Sequence, residues 1–315
     1  GVYFEVDGPL VDAAFLEELD AAIRDLAAQK LPFRFLRVPT EEARRLFARR
    51  GAEVKRKVLD MWGNSHIEIM GLGDFLDFCL GPVAPHTGFF DKFTLLKLDG
   101  ENDFVLQFPD PGEHSLLRNE GPQPKLHRTH RIAREWSRVV GISHVGDLNE
   151  ACITGDIRDV IKVAEGQHEK RISDIADDIQ LSGRRVVFIA GPSSAGKTTF
   201  AKRLSIQLRV AGIRPVALSL DNYYIDREKT PRDEKGEYDF EALEAIDLPL
   251  FNEHLCRILK GERVLTPEYD FQSGRRVSEA KWRPVQIADD QVIIIEGIHG
   301  LNEALTPAVP AEEKF

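Results

Sequence analysis

Gly191-Pro192-Ser193-Ser194-Ala195-Gly196-Lys197-Thr198-Thr199 is the stretch that decides the fold of the second half of this chain. It matches G-x-x-x-x-G-K-[ST], it follows an apolar run from Arg185 to Ala190 that reads as a strand, and it opens a helix predicted from Lys197 to Ala211, stopped by Gly212. Strand, glycine loop and helix start form an anion cradle. The glycines let backbone N–H groups turn inward, and the positive end of the helix favours phosphate. In that arrangement Gly191, Ser193, Ser194, Ala195, Gly196, Lys197, Thr198 and Thr199 hold the phosphates of ATP. Lys197 serves the β- and γ-phosphates, and Thr198 offers its hydroxyl to Mg2+. A chance Gly-rich turn would have neither the strand before it nor the helix after it.

Working outward, Val216 to Leu220 and Gln291 to Ile295 are almost wholly apolar and read as further strands separated by helices. That pattern predicts a parallel sheet covered on both faces, an α/β P-loop NTPase sheet. Ligands of such sheets sit beyond the carboxyl ends of the strands. Asp221 follows one of these strands and Glu296 the other, so both carboxylates are expected to face the phosphates. A carboxylate there holds Mg2+ or accepts the proton of an attacking hydroxyl. Asp221 is read as general base and Mg2+ neighbour, with Glu296 on the metal side; the bland alternative is that each merely caps a turn.

Upstream the texture differs. Val2 to Val6 reads as a strand, Asp12 to Lys30 as a helix ended by Pro32, Phe33 to Val38 as a strand, and Thr40 as the cap of a short helix from Glu41 to Arg50 that stops at Gly51. Residues 75–98 break into short strand-like pieces, and 110–124 are rich in Pro, Gly and polar residues. From Asp156 to Ile179 apolar residues recur at helical spacing, closed by Ser182-Gly183. The organisation expected is an N-terminal α+β domain over 1–120, a helical connector over 121–183 and the P-loop domain over 184–315. His127 and His130 sit among Lys125, Arg128, Arg131 and Arg134, read as a solvated basic helix face rather than a metal or RNA contact.

With 315 residues and 42% hydrophobic content the chain can bury two cores. A net charge of −10 excludes a global basic field that would attract nucleic acid or an anionic membrane, so any anion must be held by a local device. Three separated cysteines, Cys79, Cys152 and Cys256, with no CxxC pair, point to a reducing, cytoplasmic setting rather than a disulfide framework. The longest apolar runs, such as Val292 to Ile295, are too short to cross a bilayer. With no initiator Met and no terminating logic at Ala311 to Phe315, the chain reads as a fragment or processed form.

Taken in order, the P-loop, Asp221-Asn222-Tyr223-Tyr224, the acidic segment Tyr238 to Asp247, Pro267-Glu268-Tyr269-Asp270-Phe271 and Ile295-Glu296-Gly297 resemble the uridine kinase and phosphoribulokinase group of P-loop kinases. The resemblance implies ATP- and Mg2+-dependent phosphate transfer to the 5′-hydroxyl of a nucleoside, with Asp221 as catalytic Asp and Thr198 and Glu296 on the metal side. It also implies that Tyr224, Glu244, Tyr269 and Phe271 line the nucleoside pocket, although core packing would equally suit Tyr269 and Phe271. Where uridine-cytidine kinases place a base-reading His, this chain has Gly274, which puts uridine specificity in doubt. The family fold continues past the Glu296 strand, so the domain is expected to be incomplete at the C-terminus.

Residues 1–98 resemble the second additional domain of threonyl- and alanyl-tRNA synthetases, through Val2 to Asp7, Glu41 to Gly51, and Asp77 to Pro82 followed by Phe93 to Leu98. The resemblance leaves RNA contact open for this domain. Its editing chemistry needs a His/Cys metal cluster, and here Cys79 stands with Val83 where the last His belongs; one thiolate cannot hold Zn2+ alone. Cys79 is therefore read as a packed residue. Two other functional classes stay in view: an ATP-switched, translation-linked RNA-binding protein, and an editing hydrolase against which Val83 speaks. A homo-oligomer is compatible with all of them.

Overall fold

The computed structural model describes residues 1–78, 81–98, 102–109 and 123–315. The chain divides into two compact units, Gly1–Val163 and Ala164–Phe315.

In the first unit β1 (Val2–Glu5), α1 (Ala13–Gln29), β2 (Arg34–Pro39), α2 (Thr40–Arg49), α3 (Glu53–Asp60), β3 (His66–Leu72), β4 (Phe75–Phe78), β5 (Thr94–Lys97), β6 (Asp103–Gln107), α4 (Pro124–Val140) and α5 (Val145–Thr154) follow one another. Two antiparallel sheets result, ordered β2-β3-β4 and β1-β6-β5. Alternation along β3 turns Ile67 and Ile69 onto Ala43 and Phe47 of α2 and Leu59 of α3, and this dry cluster is the core of the first sheet. Asp12 caps α1 by accepting from the Phe15 N–H, and Lys30 ends the helix in a left-handed conformation. Thr40 does not act as a cap: it is already helical, Pro39 takes the cap position without a side-chain bond, and the Thr40 hydroxyl donates to the Asn64 carbonyl at 2.6 Å. Most of the Pro- and Gly-rich stretch over 110–124, and Cys79, lie outside the described residues.

The unit boundary falls inside α6 (Ile157–Ser182), which ends before Gly183 in a left-handed conformation, φ +65°. Beyond it come β7 (Val186–Ile189), α7 (Lys197–Val210), β8 (Arg214–Ser219), α8 (Leu248–Leu259), β9 (Val264–Thr266), β10 (Tyr269–Asp270), β11 (Arg275–Arg276), β12 (Arg283–Val285) and β13 (Gln291–Glu296). The three longer strands form a parallel sheet ordered β7-β13-β8, with Ile294 opposite both Val187 and Ala217. This is an α/β P-loop sheet. The uninterrupted apolar run of β13 follows from burial on both faces. Val292 and Ile294 meet Ile172, Ala176 and Ile179 of α6 and Ala201, Leu204 and Leu208 of α7. Ile293 and Ile295 meet Phe251, Leu255 and Ile258 of α8. The short strands β9, β12 and the β10–β11 hairpin lie outside that sheet as two-stranded pairs. No described helix is long and apolar enough to cross a membrane.

Candidate active site

β7 ends at Ile189, and the loop from Gly191 to Gly196 turns the chain into α7. The turn requires left-handed backbone at Ser194, φ +59°, and at Gly196, φ +84°. Gly196 meets this without strain, and a Cβ there would touch nothing within 4 Å. Ser193, Ser194, Ala195 and Gly196 are exposed, so the loop is an open cradle. Lys197 arches back over it and donates from Nζ to the Pro192 carbonyl at 2.9 Å.

Sheet register brings the acidic residues to this loop. Glu296 is the last residue of β13 rather than the one after it, and it stands between Ile189 of β7 and Ser219 of β8. Its Oε1 accepts from the Thr198 hydroxyl at 3.3 Å and from the Ser219 hydroxyl at 3.0 Å. Asp221 lies two residues beyond β8 in a helical turn, Leu220–Tyr223, and its N–H donates to Ser219 Oγ at 3.4 Å. Burial pushes the Asp221 carboxyl above the usual carboxylate range, the charge of Glu296 adds to this, and the Lys197 ammonium opposes it. Thr198, Ser219, Asp221, Glu296 and Lys197 therefore form one electrostatically connected group at the strand ends. Ser219 is a member that motif reading missed, because the strand read as running on to Leu220 left it inside, whereas β8 ends at Ser219. His299 follows three residues past Glu296, and its buried Nε2 has no hydrogen-bond partner among the described residues.

On the β10–β11 side Tyr224, Tyr269 and Phe271 gather into one aromatic cluster, with ring centroids 5.7 Å (Tyr224–Tyr269), 6.2 Å (Tyr224–Phe271) and 5.0 Å (Tyr269–Phe271) apart. Tyr224 and Tyr269 are buried and Phe271 is 59% exposed, so the cluster has a floor and an open face. Burial raises the Tyr224 hydroxyl to about 12, with Asp221 and Glu241 adding to the shift. Asp221 thus lies electrostatically between the phosphate loop and the aromatic cluster. Glu244 is exposed and makes no hydrogen bond or ion pair among the described residues, while Asp221 and Glu241 are the carboxylates that Tyr224 feels.

Arg276 fastens the cluster. Its guanidinium donates to the carbonyls of Tyr223 and Tyr224 and to Asp247 Oδ2, each at 2.9 Å. Gly274 has φ +69°, and a Cβ there would stand 2.6 Å from Arg227 Nε. Arg227 in turn donates to the Phe271 carbonyl at 2.9 Å. At the position where the resemblance would place a base-reading His, a side chain would have to adopt left-handed backbone and displace Arg227.

The fold is that of a P-loop kinase, with the loop and its acidic residues gathered at the strand ends. Residues 186–305 match the model of the Phosphoribulokinase / Uridine kinase family. The uridine kinase of Leuconostoc citreum is 32% identical over 119 residues, 38% of this chain and 55% of that protein. The inorganic pyrophosphatase TTM2 of Arabidopsis thaliana is 34% identical over 122 residues, 39% of this chain and 16% of that protein. The chain therefore spans about half the length of the first relative and much less of the second. The solved structure of a possible uridine kinase from Bacillus stearothermophilus has 31% identity, a TM-score of 0.35, and coverage of 42% of this chain and 71% of that one.

Proposed function

We propose that the second unit carries an ATP- and Mg2+-dependent phosphotransferase whose acceptor is the hydroxyl of a nucleoside or a similar small molecule. The observation that carries this reading is the chain of contacts at the strand ends, where Glu296 Oε1 accepts from Thr198 of the phosphate loop and from Ser219, and Ser219 Oγ in turn accepts from the Asp221 N–H. Thr198, Ser219, Asp221 and Glu296 are all oxygen donors, the set that suits Mg2+ together with phosphate oxygens. When bound there, Mg2+ would neutralise charge on the β- and γ-phosphates. The loop N–H groups from Gly191 to Thr199 and the Lys197 ammonium position the phosphates of the donor. Asp221, held basic enough by burial, accepts the acceptor's hydroxyl proton as its oxygen attacks the γ-phosphorus and ADP leaves.

A cavity of about 640 Å3 beside the loop, walled by Ala195, Gly196, Thr199 and Phe200, has room for the adenosine of the donor. The aromatic cluster offers Phe271 as a stacking face for a flat acceptor. The two relatives carry different activities, a kinase and a pyrophosphatase, so the similarity supports a shared phosphate-handling core more strongly than any one acceptor. With glycine at 274, base selection falls to other groups. For the first unit we propose a scaffold of the synthetase second-additional-domain type without its metal chemistry, supported by its quoted segments falling on β1, α2 and β5.

The test is ATP consumption by the full chain with Mg2+ against a panel of nucleosides, sugars and hydroxy acids, with Asp221→Asn as control. A rate that depends on one acceptor class and is lost in the variant supports the reading. An acceptor-independent rate, or stimulation that survives Asp221→Asn, contradicts it.

A further inference from the structure

Arg227 is a cation beside the aromatic cluster that phosphate transfer leaves without a task. It opens the helical turn Arg227–Lys229, its N–H donates to the Gly274 carbonyl at 2.9 Å, and its Nη2 donates to the Phe271 carbonyl at the same distance. The side chain lies across Gly274, where a Cβ would stand 2.6 Å from Nε and 2.7 Å from Cζ. Glycine at 274 therefore does more than permit a turn with φ +69°: it lets a guanidinium rest on the β10–β11 hairpin, next to Tyr269 and Phe271. Burial raises the Tyr269 hydroxyl, and among charges Arg227 acts on it most strongly, in the opposite direction.

This guanidinium closes no ion pair. The carboxylates on either side of it in sequence are committed elsewhere, Asp226 to Lys229 at 3.7 Å and Glu228 to Arg275 at 2.7 Å, and no carboxylate pairs with Arg227 among the described residues. Holding the Phe271 carbonyl does not require a charge, since one neutral N–H would satisfy it. Four of the five guanidinium N–H donors have no protein partner among the described residues, and they sit beside a ring that is 59% exposed. A guanidinium donates and never accepts. A flat ring stacked on Phe271 with a carbonyl oxygen toward Arg227 gains a charge-assisted hydrogen bond, whereas an amino group in the same place sets donor against donor. The exposed aromatic face favours such a ring over a small hydroxy acid, which has no surface to stack.

We propose that Arg227 determines acceptor specificity, selecting nucleosides whose base turns a keto oxygen rather than an amino group toward it; this rests on the acceptor reading above, with the base stacked at Phe271. Titration calorimetry on the full chain, with Mg2+ and the non-hydrolysable β,γ-imido analogue of ATP, would compare two pairs that differ at the exocyclic group, uridine with cytidine and inosine with adenosine. The keto member of each pair should bind about tenfold more tightly or better. Arg227→Gln, whose amide both donates and accepts, should bring each ratio close to one, and Arg227→Lys, which again only donates, should keep its direction. A purely structural Arg227 would instead weaken both members of a pair alike and leave the ratio standing. Equal binding of keto and amino partners by the wild type, an unchanged ratio in Arg227→Gln, or no saturable nucleoside binding at about 10 mM would overturn the proposal. Keto-selective binding with no phosphorylated product would sink the phosphotransferase reading and leave the assignment of Arg227 in place.

Discussion

Arg275 and Arg276 are neighbours on one two-residue strand, yet their replacement by alanine should have very different consequences. The Arg276 side chain is 19% exposed and donates to three acceptors at 2.9 Å, one of them on the Asp247 side chain, which is 29% exposed. Hydrogen bonds from a charged group contribute about 1.5–3 kcal/mol each when a partner is left behind. Water reaches part of this site, which lowers the sum, so Arg276→Ala should cost about 3–4 kcal/mol, the range of a broken buried network. Asp247 would still cap α8 through the Leu250 N–H, so the helix should survive. Arg275 pairs with Glu228 at 2.7 Å, but the two are 64% and 59% exposed, and Arg275→Ala should cost under about 1 kcal/mol. Urea denaturation of both variants reads the stability of the second unit. Because Arg276 joins the β10–β11 hairpin to the 221–224 turn, its loss should also raise KM for the acceptor more than KM for ATP. Equal stability losses for the two variants, or an unchanged acceptor KM in Arg276→Ala, would refute this account.

Asp221→Asn should stabilise the ligand-free protein at neutral pH while removing turnover. The sign follows from the raised Asp221 carboxyl. Between the ordinary Asp value and the folded one the native state holds more protons than the unfolded chain, so wild-type stability falls as pH rises through that window and stays lowered above it. The variant's advantage should be absent at about pH 3 and present at about pH 8, as a thermal melting series would show; an advantage independent of pH would count against the burial argument. Gly274→Ala should destabilise more than Gly183→Ala. Both residues have positive φ, costing about 1 kcal/mol for an L side chain, but only at Gly274 does a Cβ meet Arg227. Matched losses on urea unfolding would show that Arg227 yields freely. Ser219→Ala removes one of two hydroxyls on Glu296 Oε1 and should weaken the dependence of turnover on Mg2+, read as a raised half-saturating Mg2+ concentration.

What was legible in the sequence was what local pattern encodes. The phosphate loop carries its own motif, and the β13 run could be read as a strand buried on both faces, because Ile293, Ile294 and Ile295 leave no polar side. Asp221 and Glu296 could be placed at strand ends, although Glu296 turned out to be inside its strand and Asp221 a residue further out. Thr40 misled because a cap-forming residue type need not occupy the cap position; its hydroxyl found a carbonyl 24 residues away. The β10–β11 hairpin has strands of two residues, too short for any periodicity, and Arg276 gains its meaning from carbonyls 52 and 53 residues distant and from Asp247, 29 residues away. The docking of α4 was hidden for the same reason, since Tyr3 and Glu5, which its His130 and Arg138 meet, lie more than a hundred residues before it in the chain.

Phosphate transfer from ATP to a hydroxyl compound held near Asp221 is the activity proposed for the second unit. The most direct measurement is mass-spectrometric detection of the phosphorylated acceptor after incubating the full chain with Mg2+, ATP and a nucleoside mixture, in parallel with Lys197→Ala and Asp221→Asn. The account predicts one or more nucleoside monophosphates formed by the wild type and by neither variant. ATP bound and hydrolysed with no phosphorylated acceptor, from nucleosides or from added sugars and hydroxy acids, would contradict it.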